Sequence, residues 1–291
     1  MLASVTHIIN LLQSDMTILI GFSSIIGLMI GSFLNVVIYR LPILMQRQWR
    51  EECIDYLKLP HDETTSVKLN LAFPASHCIH CQLPVLKRHN IPVISYLWLR
   101  GRCFHCHEKI SARYPVIELL TACTSMIVAW HFGFGAQALA GLMLTWVLIA
   151  LSFIDLDHQL LPDVLVLPFL WGGLLLSVFD VFADCQASIV GATCGYLILW
   201  LVYHSFKLIT RKEGMGQGDF KLLAMLGAWL GWQYLSLIIL LSSLAGVVIG
   251  MTLISLNKQK RETPIPFGPY LAIAGWLALL WGKELNSWYF G

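Results

Sequence analysis

Apolar residues fill most of this chain in blocks of membrane-spanning length, interrupted by a single long polar stretch. The first block covers 17–39. Others cover 115–132, 136–154, 164–182, 186–206, 220–233, 235–256 and 268–282. About 20 residues of helix cross the hydrocarbon core of a bilayer, so blocks of this kind predict transmembrane helices. The pattern predicts an all-α polytopic membrane protein of about eight transmembrane helices, the block at 220–233 being short. Residues 1–40 are read as the first transmembrane helix, 41–113 as a polar insert between the first and second spans, and 114–291 as the membrane core.

Composition supports this reading and charge orients it. Of 291 residues, 57% are hydrophobic and 12% charged, where an average domain carries about a quarter charged residues. Of the 19 Lys and Arg, none lies in 1–39, eleven lie in 40–113, none lies in 114–206, and the other eight follow. Basic residues gather on the cytoplasmic side of membrane proteins. The insert and the turns at 155–163, 207–219 and 257–267 are therefore expected in the cytoplasm, with the N-terminus outside. No basic residues precede the first block, which predicts an anchor and not a cleaved signal. The basic residues are dispersed and not interleaved with aromatics, which excludes nucleic-acid binding.

Within the first span, Gly27 and Gly31 have the spacing that lets two helices approach closely, and Asn35 is expected to hydrogen-bond to a neighbouring helix. Arg40 marks the cytoplasmic boundary and Pro42 is expected to stop the helix. The charged stretch from Gln46 to Lys68 is expected to be helical.

The insert contains Cys78-Ile79-His80-Cys81, then 21 residues, then Cys103-Phe104-His105-Cys106. Two CxxC pairs at this separation predict a tetrahedral four-cysteine zinc knuckle. With all four positions filled by thiolate, the zinc is structural and not catalytic. Disulfides fit poorly in a reducing cytosol. His77, His80, His105 and His107 are possible substitutes in a ligand set that the cysteines already complete. Cys53, Cys123, Cys185 and Cys194 have no such spacing and are expected to be packed as apolar residues.

Carboxylates at the cytoplasmic ends of the spans are few: Glu118, Asp155, Asp157, Asp163, Glu213, Asp219 and Glu262. Asp155 follows an apolar run directly and is expected deeper than Asp157. Asp219 closes the glycine-dense turn Gly214-Met215-Gly216-Gln217-Gly218 on the same face. Two carboxylates held together share a proton, so one can activate water while the other polarises a carbonyl. The plainer readings are that Asp219 and Asp163 are helix N-caps, that Asp157, Glu213 and Glu262 are solvated, and that Glu118 pairs with Arg113. A proton-coupled transporter would want such acids near the midplane.

Gly216-Gln217-Gly218-Asp219 resembles the GxGD motif of membrane-embedded aspartic proteases. The segments GSFLNVVIYRLP, the paired CxxC, IDLDHQLLPD, GMGQGDFKLLAMLGAW and Pro264-Ile265-Pro266-Phe267-Gly268-Pro269-Tyr270 are together similar to the bacterial type IV prepilin peptidases. The resemblance implies that Asp155 and Asp219 are the catalytic pair. It implies cleavage of the basic leader from type IV prepilins and type II secretion pseudopilins at the cytoplasmic face of the inner membrane. It implies N-methylation of the new terminus with S-adenosylmethionine as donor, and the zinc-bearing insert is the expected place for the donor. A GxGD protease without methyltransferase activity is the nearest alternative.

Overall fold

The computed structural model describes residues 9–59, 70–73, 75–78, 80–86, 91–212, 215–256 and 266–290. Glu213, Gly214 and Glu262 lie outside these residues, as do Pro264 and Ile265 of the late proline-rich segment. The described residues form helices and no β-strand, with two isolated antiparallel bridges in the insert. The chain divides into two compact units, Met1–Gly133 and Phe134–Gly291.

The first unit is built on α1 (Met16–Leu57), a short α2 (Ile94–Trp98) and α3 (Arg113–Phe132). Asp15 caps α1, its side chain accepting from the N–H groups of Thr17 and Ile18 at 2.8 and 3.3 Å. α1 packs along α3 through Gly27 and Gly31, as their spacing predicts. A Cβ on Gly27 would stand 2.8 Å from Ala122 Cα, and one on Gly31 would stand 2.7 Å from Glu118 Cα. The opposite face of α1 exposes Ile25, Met29 and Phe33, as a helix surface meeting lipid does. Asn35 is the interhelical link expected of it: its Nδ2 donates to the carbonyl of Tyr114 on α3 at 3.2 Å and to Gly31 within α1 at 3.2 Å.

Pro42 does not stop α1. The helix runs through it for a further four turns, to a left-handed Lys58. Interior proline removes one backbone hydrogen bond and strains the preceding turn. Here the polar continuation from Gln46 is itself helix-forming, and Arg40 Nη1, two residues before Pro42, binds the carbonyls of Asn70 and Leu71 at 3.0 and 3.3 Å. Arg40 is accordingly buried.

The second unit comprises α4 (Ala136–His158), α5 (Asp163–Ser177), α6 (Cys185–Thr210), α7 (Gln217–Leu230), a 3-10 turn (Trp232–Tyr234), α8 (Leu235–Ser255) and α9 (Gly268–Phe290). α7 is its hub. Every residue from Leu222 to Leu230 is buried, whichever face it occupies, because α5, α6 and α9 pack around it. A helix apolar on all sides belongs at the centre of a bundle. At 14 residues α7 is about 21 Å long, shorter than the bilayer core. Its backbone touches that of α6 where Gly191 meets Gly227, an approach that leaves no room for a Cβ on either. Trp229 Nε1 donates to the Phe169 carbonyl of α5 at 2.7 Å, and Trp276 Nε1 on α9 donates to Thr145 Oγ1 on α4 at 3.1 Å.

Five helices among the described residues are long and apolar enough to cross a membrane: α1, α3, α4, α6 and the Trp232–Thr252 stretch that includes most of α8. The other predicted blocks are also helical, as α5, α7 and α9.

Candidate active site and metal centre

Asp155 stands one turn from the end of α4, carried inward by an apolar run that is buried almost continuously from Val147 to Ile154. It is 5% exposed, whereas Asp157 is on the surface. Asp219 is also 5% exposed and occupies the first turn of α7. The N-cap of α7 is Gly216, so Asp219 is not an N-cap. Its backbone N–H donates to the Gly216 carbonyl at 3.3 Å. The two carboxylates, 64 residues apart in sequence, lie within electrostatic reach of one another.

A third element completes the site. The backbone N–H of Gly268, the first residue of α9, donates to Asp155 Oδ2 at 3.0 Å. A Cβ on Gly268 would fall 2.7 Å from that oxygen, so only glycine lets the strand of backbone come so near. Tyr270 and Leu271 donate to the Phe267 carbonyl, and Pro269 has no N–H, which leaves the Gly268 donor for Asp155. Leu161 fills the space between the motifs. It lies against Gly268, and a Cβ on Gly218 would stand 2.7 Å from Leu161 Cβ. The second glycine of the GxGD turn thus makes room for this leucine. Lys221 clamps the same end of the unit by binding both oxygens of Asp163 at 2.7 and 2.8 Å. Asp163 is therefore an ion-pair partner at the first residue of α5, whose N-cap is Pro162.

Gly268, Leu161 and the Lys221–Asp163 pair have no role in the sequence reading. A glycine between Pro266-Phe267 and Pro269 at the mouth of an apolar block was the available signal for Gly268.

In the first unit the four sulfurs of Cys78, Cys81, Cys103 and Cys106 lie within 4.8 Å of one another, with Cys78 and Cys106 Sγ 3.8 Å apart. Tetrahedral zinc with Zn–S bonds of about 2.3 Å sets sulfurs about 3.8 Å apart. The four cysteines are not disulfide-bonded. Their two loops share one backbone design. Cys78 N–H binds the Leu83 carbonyl at 3.0 Å and Gln82 N–H returns to Cys78 at 2.9 Å; Cys103 N–H binds Glu108 at 2.8 Å and His107 N–H returns to Cys103 at 3.0 Å. Gln82 and His107 both adopt φ 57° to close the turn. The N–H of Cys81 most strongly pulls the Cys78 thiol down, to about 6, whereas desolvation and the sulfurs of Cys103, Cys78 and Cys81 push Cys106 up to about 12. The donor set therefore fits a closed, structural zinc ion.

Glu118 accepts the Val93 N–H at 2.7 Å. Cys53, Cys123 and Cys185 are exposed instead of packed: Cys53 projects from the polar end of α1, and Cys123 and Cys185 lie on outward positions of α3 and α6.

Comparison with known proteins gives two family matches in series. Residues 25–132 match the bacterial peptidase A24 N-terminal domain, and residues 142–251 match the type IV leader peptidase family. A prepilin leader peptidase/N-methyltransferase of Stutzerimonas stutzeri is 56% identical over 265 residues, covering 91% of each chain. That of Aeromonas hydrophila is 56% identical over 263 residues, covering 90% of this chain and 91% of its own. That of Pseudomonas aeruginosa is 55% identical over 265 residues, covering 91% of each. No solved structure matches the chain significantly. With both family domains present in order and relatives of this identity along nine-tenths of its length, the chain belongs to the type IV leader peptidase family.

Proposed function

We propose that this protein removes the leader peptide from type IV prepilins and methylates the amine it exposes. Its relatives carry both activities in their names, and the observation that carries the peptidase reading is the buried pair Asp155 and Asp219 with the Gly268 N–H on one of them.

In this mechanism the pair holds one proton. Asp155, one oxygen fixed by Gly268, takes a proton from water as the oxygen adds to the scissile carbonyl carbon. Asp219 gives its proton to the carbonyl oxygen, forming a neutral gem-diol. Asp155 then passes its proton to the amide nitrogen while Asp219 recovers one from a diol hydroxyl. The C–N bond breaks, leaving a carboxylic acid on the leader and a free amine on the pilin. No covalent enzyme intermediate forms.

The freed amine is the nucleophile of the second reaction, and S-adenosylmethionine supplies the electrophilic methyl group. Among the described residues no glycine-rich strand-to-helix turn is present to cradle a nucleotide-like donor, so the donor's residues stay unassigned. Cys78, Cys81, Cys103 and Cys106 would hold zinc as a structural ion. The further reading is eight spans in the bacterial inner membrane, the N-terminus outside, both carboxylates at the cytoplasmic lip, and pseudopilins of type II secretion among the substrates. The basic clustering of the sequence supports that orientation.

The test is incubation of the purified protein with a prepilin, with and without S-adenosylmethionine. Expected are a shorter product on a gel and one added methyl group at its N-terminus only when the donor is present. An uncut prepilin would overturn the reading; a cut but unmethylated one would leave a peptidase alone.

A further inference from the structure

The helix α2 is inside out. Its apolar residues Ile94, Leu97 and Trp98 are 59%, 69% and 72% exposed, while its serine, Ser95, is 6% exposed. Positions i, i+3 and i+4 lie on one helical face, so these three side chains form a single outward patch. Ser95 Oγ is turned in and accepts the Ile91 N–H at 3.0 Å, and the Tyr96 ring lies against Gly101. Arg100 and Arg102, both exposed, follow within four residues of Trp98.

Two hydrogen bonds set the level of this patch relative to the membrane helices. α3 has 20 residues, about 30 Å of helix, which matches the hydrocarbon core with nothing to spare. Its first residue, Arg113, therefore stands at a membrane boundary. Asn35 bonds Tyr114, which puts the matching level of α1 at Asn35 and leaves the rest of α1 beyond the boundary. The second bond joins Val93, the residue before α2, to Glu118 at 2.7 Å. Glu118 lies five residues inside α3, about 7–8 Å below Arg113. Val93 reaches it through a tight turn, φ 58° and ψ −49°, closed by the Ile94 N–H on the Pro92 carbonyl at 2.5 Å. Positive φ is unusual for a β-branched residue, and the buried Glu118 carboxylate holds it there. The chain is thus pulled down to the boundary zone just where it turns its apolar residues outward.

We infer that Ile94, Leu97 and Trp98 form an interfacial foot that inserts into the phospholipid leaflet at the Arg113 end of α3, with Arg100 and Arg102 reaching the phosphate headgroups. Aromatic residues favour this zone, and arginine side chains extend from it toward water and phosphate. The foot precedes the second CxxC loop by only four residues, so it fixes the metal centre close to the membrane surface. This inference stands apart from the peptidase reading.

The full-length protein is reconstituted in vesicles of phosphatidylethanolamine and phosphatidylglycerol with a photoreactive Leu97→p-benzoylphenylalanine replacement, and irradiated. A phospholipid adduct at position 97 is expected, well above that from the same replacement at Tyr56, which is 88% exposed near the far end of α1. Crosslinking instead to another part of the chain or to a second copy, or a lipid yield no higher than at Tyr56, would overturn the foot. A second measurement reads Trp98 itself, as the emission lost on Trp98→Phe. That component should be quenched by lipids brominated near the headgroup more than by those brominated at mid-chain. Quenching by aqueous iodide with no response to brominated lipid would exclude insertion.

Discussion

Gly268 donates its backbone N–H to Asp155 Oδ2 at 3.0 Å, joining residues 113 positions apart in a buried contact. The bond makes the start of α9 part of the proposed catalytic arrangement. A methyl group on Gly268 would stand 2.7 Å from the carboxylate oxygen. Gly268→Ala should therefore push Asp155 out of line and lower kcat for prepilin cleavage by about 100-fold, the scale of an ångström's misplacement, with little change in KM. Methylation of an already cleaved pilin reports whether the variant is folded.

Asp155→Asn and Asp219→Asn keep shape and remove the acid. Each should slow cleavage by about a thousandfold or more, and the double variant should be no slower than the worse single one, because groups acting as a unit are not additive. Single-turnover cleavage of a labelled prepilin measures this. Full activity in Asp155→Asn would shift the role to another carboxylate.

Lys221 and Asp163 form a half-exposed pair, their side chains 32% and 50% accessible. Such pairs contribute about 1 kcal/mol or less to stability. Either Lys221→Ala or Asp163→Ala should leave thermal unfolding nearly unchanged and alter cleavage more than stability. The exchanged pair Lys221→Asp with Asp163→Lys should recover part of the rate.

Gly31→Val places atoms where Glu118 and Thr121 already stand. It should destabilise the α1–α3 contact by about 1–3 kcal/mol, as overpacking does, visible as a lower thermal midpoint in detergent. Gly21→Val is the control, because no atom lies within 4 Å of a Cβ there.

Cys78→Ser together with Cys103→Ser should reduce bound zinc to background by elemental analysis and expose the insert to limited proteolysis. A metal content unchanged from the parent would refute the four-thiolate site.

What could be read from the residues alone was local or periodic. Gly27 and Gly31 declared a helix contact by spacing, Asn35 by being polar in an apolar block, and the cysteines by two short repeats. Asp155 and Asp219 could be matched because counting spans put both at one end of the bundle. Gly268 could not be matched to Asp155 in that way, since a backbone donor leaves no chemical mark in a sequence. The tie between Val93 and Glu118 was hidden for the same reason. Pro42 misled because the rule that proline ends helices weighs local geometry only. The packing of Arg40 against Asn70 and Leu71 lies outside that local geometry.

The twin design of the cysteine loops has a consequence for how the insert can vary. Each loop fastens its own backbone by bonds spanning four or five residues, so each is half of a clasp that needs no help from the other to take shape. Bringing the halves together encloses the 21 residues between Cys81 and Cys103. The entropy of such closure rises only with the logarithm of length, about 0.6 kcal/mol for each doubling. Outside the residues that the loops themselves use, the enclosed segment can thus change in length at small entropic cost to metal binding. The clasp can keep its ion while α2, which it encloses, is shaped by the surface it meets.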